Sequence, residues 1–424
     1  MIRSLLLLCG LVLCTACSRD RAAPAARLGL PTVFDSTGDT IRARVQGVVD
    51  EAALRSLTVD WRLSGEVGDT IRFGNASQLT PGARGTLAFV DGSITQVLLV
   101  APDGTFLGPM GRKGGGPGEY EQISGLVGLP DGRWAIYDAQ GPRVSFFSAT
   151  GQFETAWPMA STNFFGQGML SVDTDGTLRV AQFVVEPGQI SFDARNARAR
   201  VLDGGRVYAD TVFAPTFGVK ASEYRASAAV NGGRSSTMLT DQLSAAEILL
   251  WHPDGHWLLL EGGTYRVLFD RRSTKPLVVE RTTPPIPVDP DERAWHEDRV
   301  LRVMRRTDPT WTWQGPPIAQ TRAPARSAFL GRDGRVWVQV SLPSEPIPEA
   351  ERDAERPGGL PSPRWRSRSA YEVFDRNGTF VGRVTLPVRA QIYGAEGDWV
   401  WGTQLDEDDV PTVVRWRVVP GFGG

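Results

Sequence analysis

Three acidic residues, Asp91, Asp138 and Glu261, occupy one position of a recurring pattern. Carboxylates gathered on a ring are the ligands that a hard cation such as calcium takes. The same residue types also close turns, because an aspartate at a strand end accepts the N–H groups of the following loop. A polar residue stands five positions after each acid: Gln96, Arg143 and Arg266. The two arginines either form a rim that recognises an acidic ligand or pair with their own acids. These five charged residues, Asp91, Asp138, Glu261, Arg143 and Arg266, are the candidate ligand face.

A second stretch suggests phosphate chemistry. "GRKGGGPGEYEQ", Gly111 to Gln122, holds glycines, a basic pair and two acids around Tyr120. A P-loop, however, needs a Gly-Lys-Ser/Thr ending that opens a helix. Here Gly116 is followed by Pro117 and Gly118. The dinucleotide pattern fails too, because Glu119 stands where a pyrophosphate would lie. The stretch is better placed as a connector between two sheets, with glycine supplying left-handed turns and Tyr120 plugging the gap. The three histidines, His252, His256 and His296, are too dispersed for a zinc set of three ligands. The chain has no G-x-S-x-G, H-E-x-x-H or C-x-x-C motif.

The elements that would position these residues repeat along the chain. Six copies of one frame begin at Gly85, Gly132, Gly176, Gly255, Gly334 and Gly397. Two residues after each glycine stand Leu87, Trp134, Leu178, Trp257, Val336 and Trp399. Four after stand Phe89, Ile136, Val180, Leu259, Val338 and Trp401. A spacing of two is the period of a strand with a buried face. The residues between are often apolar as well, which marks strands covered on both sides. Asp or Glu precedes the glycine in five copies, Arg84 in the other. Asp-Gly between apolar runs predicts a two-residue hairpin with positive φ at both central residues. Two further strands follow in each copy. Six four-stranded antiparallel units in one chain predict an all-β fold, a six-bladed β-propeller.

Long spacings between copies mark insertions at about 214–246, 282–325 and 341–368. In the second, Asp289 is a candidate N-cap, Pro290 the first helical residue, and Glu292 stands three on. Val300, Val303 and Met304 would pack that helix on the propeller. The third insertion, Pro-rich and charged, is expected as an exposed loop, and Trp311, Trp313 and Trp365 are candidate sugar-stacking aromatics in the insertions. The sixth unit lacks room for a fourth strand after "VPTVVRWRVVP", so a strand within 32–45 is expected to close the ring.

The start, "MIRSLLLLCGLVLCTACSRD", combines Arg3, a ten-residue apolar run and small residues before Cys17. The run is too short to span a bilayer and has the shape of an export signal. It is similar to a bacterial lipoprotein signal, which implies residues 1–16 as signal peptide, lipidation at Cys17, a tether over 17–30 and one propeller over 31–424. Ser18, rather than aspartate, favours the outer membrane. All three cysteines lie in this segment, so the exported body has no disulfide. The net charge of −2 excludes the strong basic face that nucleic acid requires.

The stretch "GPMGRKGGGPGEYEQISGLVGLPDGRWAIYDAQGPRVSFFSATGQF" resembles an NHL-type repeat. It is similar to the connector of bacterial six-bladed propeller lipoproteins: "GPGE" with an aromatic, "DGR", an apolar strand, then Asp138 and Arg143. The likeness covers roughly 80–160, and is looser onward. It implies a propeller and an envelope location, and does not imply an enzyme. A further likeness to lactonase-type propellers implies, as an alternative, a calcium in the channel and lactone hydrolysis; a carbohydrate-binding propeller is a second alternative. The expectation is a monomeric envelope lipoprotein, held to the membrane by its lipid only, that binds an envelope protein, a small ligand or a glycan, without catalysis or a resident cofactor.

Overall fold

The computed structural model describes residues 30–423 apart from 51–53, 66–72, 160–168, 185–194, 231, 273, 353–358 and 407–408. The signal and Cys17 lie outside these residues. Six antiparallel sheets follow one another along the chain as the blades of a six-bladed β-propeller. Blade 1 is typical: Ala76–Pro81, Leu87–Asp91, Gln96–Val100 and Phe106–Met110, each strand paired with the next. Blades 2 to 6 begin at Ile123, Leu170, Glu247, Ala325 and Ala390.

The apolar second strands make the core. Leu87 and Phe89 pack toward Trp401 and Val413 of blade 6, whereas Ala88 and Val90 face Tyr120, Trp134 and Ile136 of blade 2. Each blade is therefore buried on both faces, which is why the strands lack polar alternation. Trp134, Trp337 and Trp401 are wholly buried. Burying such side chains contributes about 2–3 kcal/mol each.

The turns differ from the expected two-residue form. Gly85, Gly132, Gly176, Gly255, Gly334 and Gly397 all have positive φ, but among the preceding residues only Arg84 does. In blade 2 the Gly132 N–H donates to Leu129 O, the Leu129 N–H donates to Arg133 O, and Asp131 Oδ1 accepts the Arg133 N–H. This is a type I turn followed by a left-handed glycine. Aspartate is favoured there because its side chain bonds two residues on, not because it adopts positive φ.

Ring closure corrects a second expectation. The fourth strand of blade 6 is Ser56–Ser64, antiparallel to Pro411–Val419. The segments Thr32–Asp35 and Ile41–Val45 add two strands to the outer edge of blade 4, with Ile41–Val45 parallel to Leu277–Arg281.

In an up-and-down propeller the blade connectors and the loops between second and third strands share one face. All three insertions therefore rise from that face. The first forms a hairpin, Glu223–Val230 with Gly233–Thr240. The helix Pro290–Thr307 packs on this hairpin rather than on the blades: Val300 and Met304 meet Tyr224 and Ala226, and Trp311 is buried with them. The third insertion carries a short hairpin, Ser344–Pro346 with Trp365–Ser367, where a loop was expected. At the opposite face Arg332 of blade 5 reaches blades 1 and 2. Its Nη1 donates to Pro81 O of blade 1 and Gly128 O of blade 2, both at 3.0 Å. Burial lowers the pKa of this guanidinium.

Candidate functional site

The strand register explains the five-residue spacing. Asp138 lies opposite Arg143, Glu261 opposite Arg266, and Asp91 opposite Gln96, each pair at the mouth of a second-to-third strand loop. Asp138 is buried. Its Oδ1 accepts N–H groups from Gln122 and Gln140 at 3.0 and 3.1 Å, and its Oδ2 accepts from Glu121 at 3.0 Å. Arg143 Nη2 lies 3.5 Å from Asp138 Oδ2. The same guanidinium donates to Gly115 O at 2.8 Å and Glu119 O at 2.7 Å.

Both residues thus bind the glycine-rich connector. Within it, Glu119 accepts the Gly116 N–H and pairs with Arg112, which together hold its carboxyl below the usual range. Tyr120 is buried between blades 1 and 2, donating to Met110 O at 2.9 Å and accepting from Val97 N–H at 2.8 Å. Gly111 has φ +71°, and a Cβ there would lie 2.7 Å from both Gly118 O and the Tyr120 ring. The glycines serve this close crossing.

The other acids are also turned into their own loops. Asp91 Oδ1 accepts from Ser93 Oγ at 2.6 Å and Ser93 N–H at 3.0 Å. Glu261 accepts from Gly263 N–H at 2.7 Å and from Thr264, through both its N–H and hydroxyl. Burial works to raise the Glu261 carboxyl, but these donors hold it below the ordinary range. Arg266 Nε lies 3.6 Å from Glu261, and its guanidinium lies over the Phe217 ring. The acids belong to three different blades. Among the described residues, no group of three or more His, Cys, Asp and Glu side chains is close enough to hold a metal ion. His252 and His256 stack at 4.4 Å between ring centroids, and His296 lies on the inserted helix.

The geometry assembles a different site on the insertions. The helix presents Asp291, Trp295, Asp298 and Arg302 along one side of a groove of about 730 Å³, and Pro346 and Trp365 form part of the other. A volume of several hundred Å³ is that of a small-ligand site. Trp295 Nε1 donates to Ser362 O at 3.0 Å, which locks the indole in place. A buried network holds the walls together: Arg322 Nη2 donates to Glu292 Oε1 at 2.5 Å and to Ser344 Oγ at 2.8 Å, and Ser344 Oγ donates to Glu292 Oε2 at 2.6 Å. Glu292 is therefore not the reciprocal cap of the helix. Asp289 alone caps it, accepting from Asp291 N–H at 2.8 Å. Of Trp311, Trp313 and Trp365, the candidate sugar-stacking residues, Trp311 is buried and only Trp365 lines this groove. Trp295 went unnoticed in the sequence; its place one turn from Asp291 and Asp298 on the helix was the available signal.

No family model matches the chain, and no curated protein matches it. Solved structures with a similar chain path exist. One is a Bacteroides vulgatus member of the DUF4221 family, with 10% identity, a TM-score of 0.48, and 86% of this chain and 98% of that chain covered. Another is a Bacteroides fragilis protein described as exported, with 12% identity, a TM-score of 0.46, and 89% and 99% covered. A third is virginiamycin B lyase from Staphylococcus aureus, with 10% identity, a TM-score of 0.37, and 85% and 99% covered. The propeller assignment rests on the sheets themselves. No helix among the described residues is long and apolar enough to cross a membrane.

Proposed function

We propose that this chain is an exported, lipid-anchored binding propeller without catalysis of its own, and that its ligand is a carbohydrate held in the insertion groove. The single observation that carries the reading is the pairing of two half-buried indoles, Trp295 and Trp365, with Asp291, Asp298 and Arg302 in one groove. Indole faces stack on the apolar faces of sugar rings, while carboxylate and guanidinium groups take the hydroxyls. The Glu292–Arg322–Ser344 network pre-organises the groove, which lowers the ordering cost of binding.

Absence of catalysis is inferred from how the acids are used. Asp91, Asp138 and Glu261 accept from N–H and hydroxyl groups of the adjoining loops and lie in separate blades. A nucleophile, base or metal ligand needs a free lone pair aimed at one shared point. Export and lipidation at Cys17 rest on the apolar start and the small residues before that cysteine. Screening the exported body against a glycan array, beside a Trp365→Ala variant, tests the reading. The expected result is a set of glycans retained by the native protein and lost with Trp365.

A further inference from the structure

The face opposite the insertions carries a second pocket, of about 460 Å³, between blades 2 and 3. Phe146 and Trp157 of blade 2 give it an aromatic wall, and the third strand and outer turn of blade 3 bring Arg200 and Arg206 to it. We propose that this pocket binds a small aromatic ligand bearing a carboxylate.

Two blades build the walls. Phe153–Pro158 is the outermost strand of blade 2, and Trp157 stands on it opposite Val144, which is buried toward blade 3. Blade 3 supplies the turn Asp203–Gly205, in which Gly204 and Gly205 have φ of 78° and 83°. A Cβ at Gly205 would collide with Pro158 O and crowd Trp157. Glycine lets this turn lie against the blade 2 strand, and the next residue, Arg206, joins the wall that holds Trp157. The Phe146 and Trp157 rings pack at 4.3 Å between centroids with their planes at 59°. Aromatic rings favour offset and edge-on contacts, and the half-buried indole leaves part of its surface open to a third ring.

The charges supply an independent observation. Three arginines and two carboxylates line the pocket. Arg133 is committed to Asp131 at 2.9 Å and lies over the Phe146 ring. Asp175 accepts the Thr177 N–H at 2.8 Å, which holds its carboxyl below the ordinary range, with Arg179 and Arg200 adding from farther off. Arg200 and Arg206 are exposed, and neither makes a hydrogen bond or ion pair among the described residues. Against them stands one remaining carboxylate, Asp203. Guanidinium presents N–H groups in a planar fork that matches a carboxylate. A wall with one positive charge in excess suits a singly charged carboxylate better than a doubly charged phosphate. The volume falls in the range of small-ligand sites.

Calorimetry of the full exported body with indole-3-acetate tests the site, with acetate as the probe that lacks a ring. Arg200→Ala and Arg206→Ala alter exposed side chains and should leave the unliganded melting temperature in place. The native protein should bind indole-3-acetate more tightly than acetate, with affinity falling about tenfold or more in the double variant. The Trp365→Ala variant, altered only in the insertion groove, should bind indole-3-acetate as the native protein does. No binding at about 10 mM indole-3-acetate, unchanged affinity in the double variant, equal affinity for acetate, or loss of binding with Trp365 overturns the proposal.

Discussion

Asp138 and Arg143 face each other across a strand pair at 3.5 Å, and both reach the backbone of the connector that joins blades 1 and 2. The carboxylate takes its N–H groups and the guanidinium takes its carbonyls. Asp138→Ala removes a buried acceptor and strands several donors. It should cost about 2–4 kcal/mol in denaturant unfolding. Because the two residues share one segment, Arg143→Ala added to it should cost less than the sum of the single changes. Additive losses would mean that the two hold the connector independently.

Tyr120→Phe keeps the ring between the blades but leaves Met110 O and Val97 N–H unpaired. The expected loss is about 1–3 kcal/mol, read as a lowered denaturation midpoint with an unchanged slope.

The closing strand gives a comparison of two deletions. Removing 54–65 takes out the fourth strand of blade 6 and should abolish a cooperative melt. Removing 30–46 strips the two added strands from blade 4, with the buried Ala43 and Val45, and should lower the melting temperature but leave a folded monomer. Size-exclusion and thermal unfolding distinguish these outcomes, and the reverse ranking would refute this closure.

His256 predicts a pH dependence with a definite sign. Its folded pKa is about 4, below its ordinary value of 6.5. Between these values the unfolded chain binds more protons than the folded one, so stability falls as pH drops from 6.5 toward 4. The size is about 3 kcal/mol. His256→Gln should lower stability at neutral pH but flatten this acid-side slope, measured by urea unfolding at a series of pH values.

Much of the fold was legible because the second strands are buried on both faces. Leu87, Trp134 and Trp401 announce themselves through apolar character at a period of two. The closing strand was not legible. In Ser56–Ser64 only Trp61 is buried, so its pattern is no stronger than that of 32–45. An outermost strand carries little hydrophobic signal, and its choice depends on geometry far along the chain. The capping role open to Asp138 could be anticipated from its place at a strand end. The groove could not, because Trp295 and Trp365 come from separate insertions, and Glu292 meets Arg322 and Ser344 only after both fold. Local rules suggested a reciprocal cap for Glu292; a buried guanidinium outweighed them.

The central claim, a sugar-binding groove on a non-catalytic propeller, is tested most directly by titrating glycans selected on the array into the native protein and the Trp365→Ala variant, with calorimetry as the readout. Loss of a stacked indole should weaken binding by about 1–2 kcal/mol, with the glycan recovered unchanged. Equal affinity in the two proteins, no glycan bound by the native protein, or a cleaved glycan after incubation would contradict it.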